Sequence, residues 1–209
     1  MIFGDTAEEG FVRGQRYAHP GLRIAFEVPD GYRLDNRKEA VVATGPDRIA
    51  LQVDAAPLAP NKSLKAYLSS GWIGGLTPEP PKALRINGLE ALRGRAAADG
   101  WIFDITLVRV GDRVYRLITA APAGVETLGV EAQKIATTFR RISARDAAIL
   151  KPLEIKIHTV ASGENISSIV RRYMRWTDKK EGADLIRALN TIGPGGLRPG
   201  QKIKLVVEG

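Results

Sequence analysis

The chain has 209 residues, 44% of them hydrophobic and 26% charged, which is ordinary for a folded protein and leaves room for one large domain or two smaller ones. It carries 31 Lys and Arg against 23 Asp and Glu, a net charge of +8, and no cysteine, which excludes disulfides, Cys-zinc sites and thiol nucleophiles. No apolar run is long enough to span a bilayer, and the start, with Asp5, Glu8 and Glu9, has acids where an export signal needs bases, so no signal peptide is expected in this chain.

Residues 151–209 hold 11 basic and 6 acidic side chains, a net of +5, so charge is denser in the tail. A basic surface attracts polyanions of any kind. Aromatics make up only 6% of the chain and fall mostly at strand positions. The interleaving of bases and rings that stacks on nucleobases is missing, so no nucleic-acid partner is expected.

Residues 1–20 show no periodicity, with Gly4, Gly10 and Gly14 scattered among them, and read as a connecting arm. Residues 21–150 form the first domain. Leu22, Ile24, Phe26 and Val28 alternate with Arg23, Ala25 and Glu27, which predicts a half-buried strand ended by Pro29-Asp30-Gly31. Two strands follow, Ala40–Thr44 and Ile49–Val53, then a short helix capped by Asn61 or Ser63 with Leu64, Tyr67 and Leu68 on one face. Asn87-Gly88 and Asp99-Gly100 predict hairpins, and Gly111-Asp112 a third turn. Leu128, Ala132, Ile135, Ala136 and Phe139 recur at helical spacing across 126–140. The predicted fold class is therefore α+β, an antiparallel sheet with packed helices. Ser143 with Asp146 resembles a capping box and starts a linker helix before Pro152. The second domain, residues 151–209, runs strand, helix, helix, strand.

No catalytic set assembles. The two histidines, His19 and His158, fall in different domains, and there is no H-E-x-x-H, P-loop, G-x-S-x-G or dinucleotide fingerprint. No metal site and no cofactor are expected in this chain. Asp99 and Asp104 fit a turn and an outward strand position, His19 a junction, and His158 a packing position on the first strand of the tail.

In the tail, His158-Thr159-Val160 leads into Ala161-Ser162-Gly163-Glu164-Asn165-Ile166, and Ala188-Leu189-Asn190 precedes Leu197-Arg198-Pro199-Gly200-Gln201. This order resembles the LysM module, a small βααβ unit that binds N-acetylglucosamine-containing glycans. The resemblance implies peptidoglycan as a partner. It places the contact on two facing loops, Ser162, Gly163, Glu164, Asn165 and Ile166 on one side and Ile192, Gly193, Gly195, Gly196, Leu197 and Arg198 on the other. Glu164 and Asn165 stand where the family usually has Asp and Thr, and Arg171–Lys180 is longer and more basic than usual.

A wider resemblance covers nearly the whole chain. Phe3-Gly4-Asp5, Gly10-Phe11-Val12-Arg13-Gly14, Tyr17-Ala18-His19-Pro20, Val28-Pro29-Asp30-Gly31-Tyr32 and Ile86-Asn87-Gly88-Leu89-Glu90-Ala91 occur in the order found in some bacterial zinc metallopeptidases related to CAAX prenyl proteases and to BepA. There they follow the catalytic domain. The resemblance implies that this chain is the non-catalytic C-terminal region of a periplasmic or cell-envelope protease. Its partner would be the upstream peptidase domain, and zinc would be held only there. The first domain is also similar to the Mog1/PsbP type. The alternative is a stand-alone glycan-binding protein, with the first domain as a spacer.

Overall fold

The computed structural model describes residues 2–209. Strand β1 (Ile2–Phe3) comes first, then the hairpin of β2 (Phe11–Arg13) and β3 (Arg16–His19). Next come β4 (Ile24–Glu27), β5 (Arg33–Asn36), β6 (Val41–Thr44), β7 (Ala50–Pro57) and the short helix α1 (Leu64–Leu68). Three hairpin-linked strands follow, β8 (Lys82–Ile86), the ten-residue β9 (Leu89–Ala98) and β10 (Trp101–Val110), and the run closes with β11 (Arg113–Pro122). Helix α2 (Leu128–Thr138), the short β12 (Arg140–Arg141) and α3 (Ala144–Ile149) lead to the tail. The tail holds β13 (Leu153–Thr159), α4 (Ile166–Tyr173), α5 (Lys179–Leu189) and β14 (Lys202–Glu208). The fold is α+β with antiparallel sheets throughout, as the hairpin signals predict.

Seven strands form one sheet in the order β5-β6-β7-β11-β10-β9-β8, and four form a second, β12-β4-β3-β2. One face of the large sheet packs with Tyr17, Ile24 and Phe26 of the small sheet and with Leu128, Ile135 and Phe139 of α2 and its end. The opposite face carries Ile105, Leu107 and Val114 under Leu64, Tyr67 and Leu68 of α1. Both faces are covered, so β10 runs buried from Asp104 to Val108 without alternation. Asn87 (φ 48°) with Gly88 (φ 82°), and Asp99 (φ 52°) with Gly100 (φ 76°), make the two predicted hairpin turns, whose left-handed backbone suits the twist of the flanking strands.

Three expectations differ from the structure. Residues 1–20 are not an unpatterned arm, although Met1 lies outside the described residues. Ile2 and Phe3 pair with Glu154 and Leu153 of the tail, and β2 and β3 build half of the small sheet. The reasons are length and, for β1, distance: strands of two to four residues carry little period of their own, and the partner of β1 lies about 150 residues away. Strand β4 is not half-buried. Ile24 and Phe26 face the main core, while Ala25 packs with Ala18, Ile142 and Ala147 beneath α3. Asp104 is not solvated. It is 1% exposed on the face under α2, and Arg93 donates to both its oxygens at 2.7 and 2.6 Å. The same guanidinium donates to the Gly129 carbonyl, so the pair ties α2 to the sheet and meets the requirement that a buried charge be paired.

The helix caps follow the sequence. Ser63 accepts from the Ala66 N–H and starts α1. Ser143 accepts from the Asp146 N–H, and its hydroxyl donates to the Asp146 carboxylate at 2.7 Å.

Candidate functional site

Strands β13 and β14 are antiparallel, with seven pairs from Leu153↔Glu208 to Thr159↔Lys202. That register brings the end of β13 and the start of β14 to the same end of the sheet. Two further bonds hold the loop roots together, Val160 N–H to the Gln201 carbonyl at 2.9 Å and Gly200 N–H to the Val160 carbonyl at 2.8 Å. The two candidate loops therefore leave from one point.

In the first loop Gly163 sits at φ +81°, where a side chain would be strained. Glu164 folds back over the turn. Its Oε2 accepts from the Ala161 N–H at 2.9 Å and lies 2.7 Å from His158 Nε2. The Ala161 N–H first, then His158, hold the Glu164 carboxyl below the usual carboxylate range. Asn165 is the N-cap of α4: its Oδ1 accepts from the Ser168 N–H at 2.9 Å, and Ser168 Oγ accepts from the Asn165 N–H at 3.0 Å. Two orphan donors of the helix are thereby satisfied.

The second loop turns through a Gly196 N–H bond to the Gly193 carbonyl, with Gly196 at φ +76°. A Cβ at Gly193 or Gly195 would meet nothing within 4 Å. Gln201 Oε1 accepts from the Arg198 N–H and steadies the turn before β14.

The eleven residues expected at the site divide in four. Ile166, Ile192 and Leu197 pack against the core of the tail, beside Ile169, Ile186 and Leu205. Glu164 and Asn165 are committed to holding the first loop. Ser162 and Arg198 are exposed and, among the described residues, their side chains make no protein hydrogen bond. Gly163, Gly193, Gly195 and Gly196 offer backbone. The face that could receive a ligand is thus mostly main-chain N–H and C=O with one hydroxyl and one guanidinium. That set suits an acetamido group or a sugar hydroxyl.

His158 was expected to be a packing residue only. It packs, with Tyr173 at 4.9 Å between ring centroids, but it also anchors Glu164. The Glu164 side chain is long enough to fold back over the turn and bring its carboxylate to the imidazole. The six-residue spacing from His158 to Glu164 gave no signal, because the two meet only through the turn at Gly163.

Asn190 performs a second task that only the fold reveals. Strand β14 is a sheet edge, and Asn190 stands in for a neighbouring strand: its Nδ2 donates to the Lys204 carbonyl at 2.9 Å and its Oδ1 accepts from the Lys204 N–H at 2.7 Å. The Trp176 indole N–H donates to the Val206 carbonyl on the same edge.

His19 is accounted for in the first domain. The Leu22 N–H donates to Nδ1, so the ring proton sits on Nε2 and donates to the Glu8 carbonyl at 3.1 Å. Burial lowers its pKa. Among the described residues, no group of three or more His, Asp or Glu lies together as a metal site would require, and no helix is long and apolar enough to cross a membrane.

Comparison with known proteins is informative only for the tail. No curated protein matches the chain. Among solved structures the chain is similar to a protein from Bacteroides thetaiotaomicron, at a TM-score of 0.48 and 11% identity, covering 78% of this chain and 63% of that one. The present chain therefore spans less than two thirds of that protein. It is also similar to cyanobacterial PsbP from Synechocystis, at a TM-score of 0.46 and 15% identity, covering 66% of this chain and 98% of that one. A point mutant of the protein Mog1 gives a TM-score of 0.40 at 15% identity, covering 61% of this chain and 95% of that one. These likenesses are too loose to speak to function. The sequence of the tail is more specific: residues 158–206 match the LysM domain family.

Proposed function

We propose that residues 151–209 form a glycan-binding module for peptidoglycan or related N-acetylglucosamine polymers. Residues 21–150 would be a non-catalytic domain that positions it. The observation that supports this best is the shared root of the two loops, Thr159↔Lys202 with the two Val160 bonds, which leaves exposed backbone on both sides of one point. Binding is expected to be weak, because a shallow site offers few anchors. The chain itself carries no catalytic group in this reading. His19 has both nitrogens engaged, and His158 is tied to Glu164.

The test is a titration of the full chain with neutral N-acetylglucosamine oligomers at high salt, where the +8 charge is screened. Amide shifts confined to residues 162–166 and 192–198 support the site. Gly195→Trp should abolish them while leaving the fold intact, since a Cβ there meets nothing within 4 Å. A spectrum unchanged by neutral oligomers, with anionic wall fragments binding only at low salt, refutes the proposal.

A finer reading is that the parent protein is an envelope zinc metallopeptidase, with this chain as its accessory region in the periplasm. What supports it is the order of motifs from Phe3-Gly4-Asp5 through Ile86–Ala91. An in-frame H-E-x-x-H domain encoded directly upstream would be expected. A signal peptide encoded just before Ile2 instead would favour a stand-alone glycan-binding protein.

A further inference from the structure

Beside the two loops, the tail holds a second concave space of about 520 Å³, lined by Lys156, His158, Arg172, Tyr173, Arg175 and Glu208 among others. Three cations line it with one carboxylate, and a second carboxylate, Glu164, stands at its edge on His158. Lys156 has a loose partner in Glu154 at 3.5 Å, but among the described residues neither Arg172 nor Arg175 has a carboxylate within 4.0 Å. Ile157, at the same groove, is 63% exposed. The groove is contiguous with the loops, because His158 lines it while its Nε2 holds Glu164 of the first loop. Lys156 lies three residues back along β13 from Thr159, about 10 Å of strand.

We infer that this groove is an anionic subsite that receives the carboxylates of a glycan whose neighbouring sugars occupy the loops. It rests on the glycan-binding reading above and deepens it: the ligand class becomes an acid-bearing polymer such as one containing muramic acid, not a neutral chitin-type chain. Guanidinium groups grip carboxylates in a planar two-bond geometry that a neutral sugar cannot offer. A nucleic acid fits less well. The two rings in the groove, Tyr173 and His158, already pack against each other, and Tyr173 lies 5.3 Å from the Arg172 guanidinium, so neither is free to stack on a base.

The experiment compares the neutral tetramer (GlcNAc)4 with (GlcNAc-MurNAc)2 on the full chain at matched moderate salt, read by amide shifts. A double variant, Arg172→Gln with Arg175→Gln, removes both guanidinium groups of the groove, and leaves Lys156, at exposed positions where the fold tolerates change. The muramic-acid oligomer should shift both the loops and residues 156–158 and 172–175. It should bind about fivefold more tightly than the neutral one, the gain from an exposed ion pair. The double variant should erase that preference and leave (GlcNAc)4 binding unchanged. Equal affinity for both oligomers, with shifts in the loops alone, overturns the subsite and leaves the glycan reading standing. If neither oligomer shifts the loops, the glycan reading itself falls and takes the subsite with it. Equal or tighter binding of a single-stranded oligonucleotide in the groove also overturns the assignment.

Discussion

Replacing Asn190 by Ala should loosen the whole tail. The amide makes two bonds to Lys204 on β14 and a third, 2.8 Å, to the Ile186 carbonyl. It is the point where α5, the second loop and the sheet edge are tied together. A hydrogen bond contributes about 1 kcal/mol net, and water can replace part of each at a half-exposed edge, so the loss should be about 2 kcal/mol. A module of this size is expected to have only about 3–8 kcal/mol to lose. The variant should therefore shed a quarter or more of its stability. In urea, with a slope near 1 kcal/mol per molar for so small a unit, the tail midpoint should fall by about 2 M. Hydrogen exchange at the Lys204 amide should accelerate most, since that N–H loses its acceptor outright. A midpoint shift under about 0.3 M, with Lys204 still protected, would refute the view that this side chain substitutes for a strand.

Three further outcomes are expected. Asp104→Ala should destabilise the first domain by about 3 kcal/mol in thermal or chemical unfolding, because it strands Arg93 beside α2; the effect is at the lower end of the range because Arg93 keeps some solvent contact. His19 is held neutral below its ordinary pKa, so the unfolded chain binds more protons as pH falls below about 6.5. First-domain stability should then decline from pH 7 to pH 5, and His19→Gln should flatten that slope. Glu164 has a lowered folded pKa, so its stabilisation is complete above the ordinary carboxylate value and is lost as pH falls through the lowered one. Acid unfolding of the tail, followed by Trp176 exposure, should lose this component in Glu164→Gln.

What was legible in the sequence was whatever rests on contacts a few residues long. Asn87-Gly88 and Asp99-Gly100 dictate their turns because few other pairs tolerate two left-handed residues in a row. Ser63 and Ser143 cap their helices because a short hydroxyl reaches an N–H three residues on. The α+β class and the βααβ order of the tail followed from such signals. The loop glycines of the candidate site could likewise be named, since a turn at Gly163 or Gly196 is a local matter.

Tertiary structure decided everything that depended on a distant partner. The pairing of Ile2 and Phe3 with Glu154 and Leu153 spans about 150 residues, and two-residue strands carry no period of their own. Asp104 looks like a solvated strand residue until α2 is seen to cover it and Arg93 to neutralise it. Glu164 and Asn165 read as free polar side chains in the sequence, and only the folded loop shows them bonded to His158, the Ala161 N–H and the start of α4. Polar side chains choose among partners of similar strength, and only the packed fold determines which partner stands within hydrogen-bonding distance.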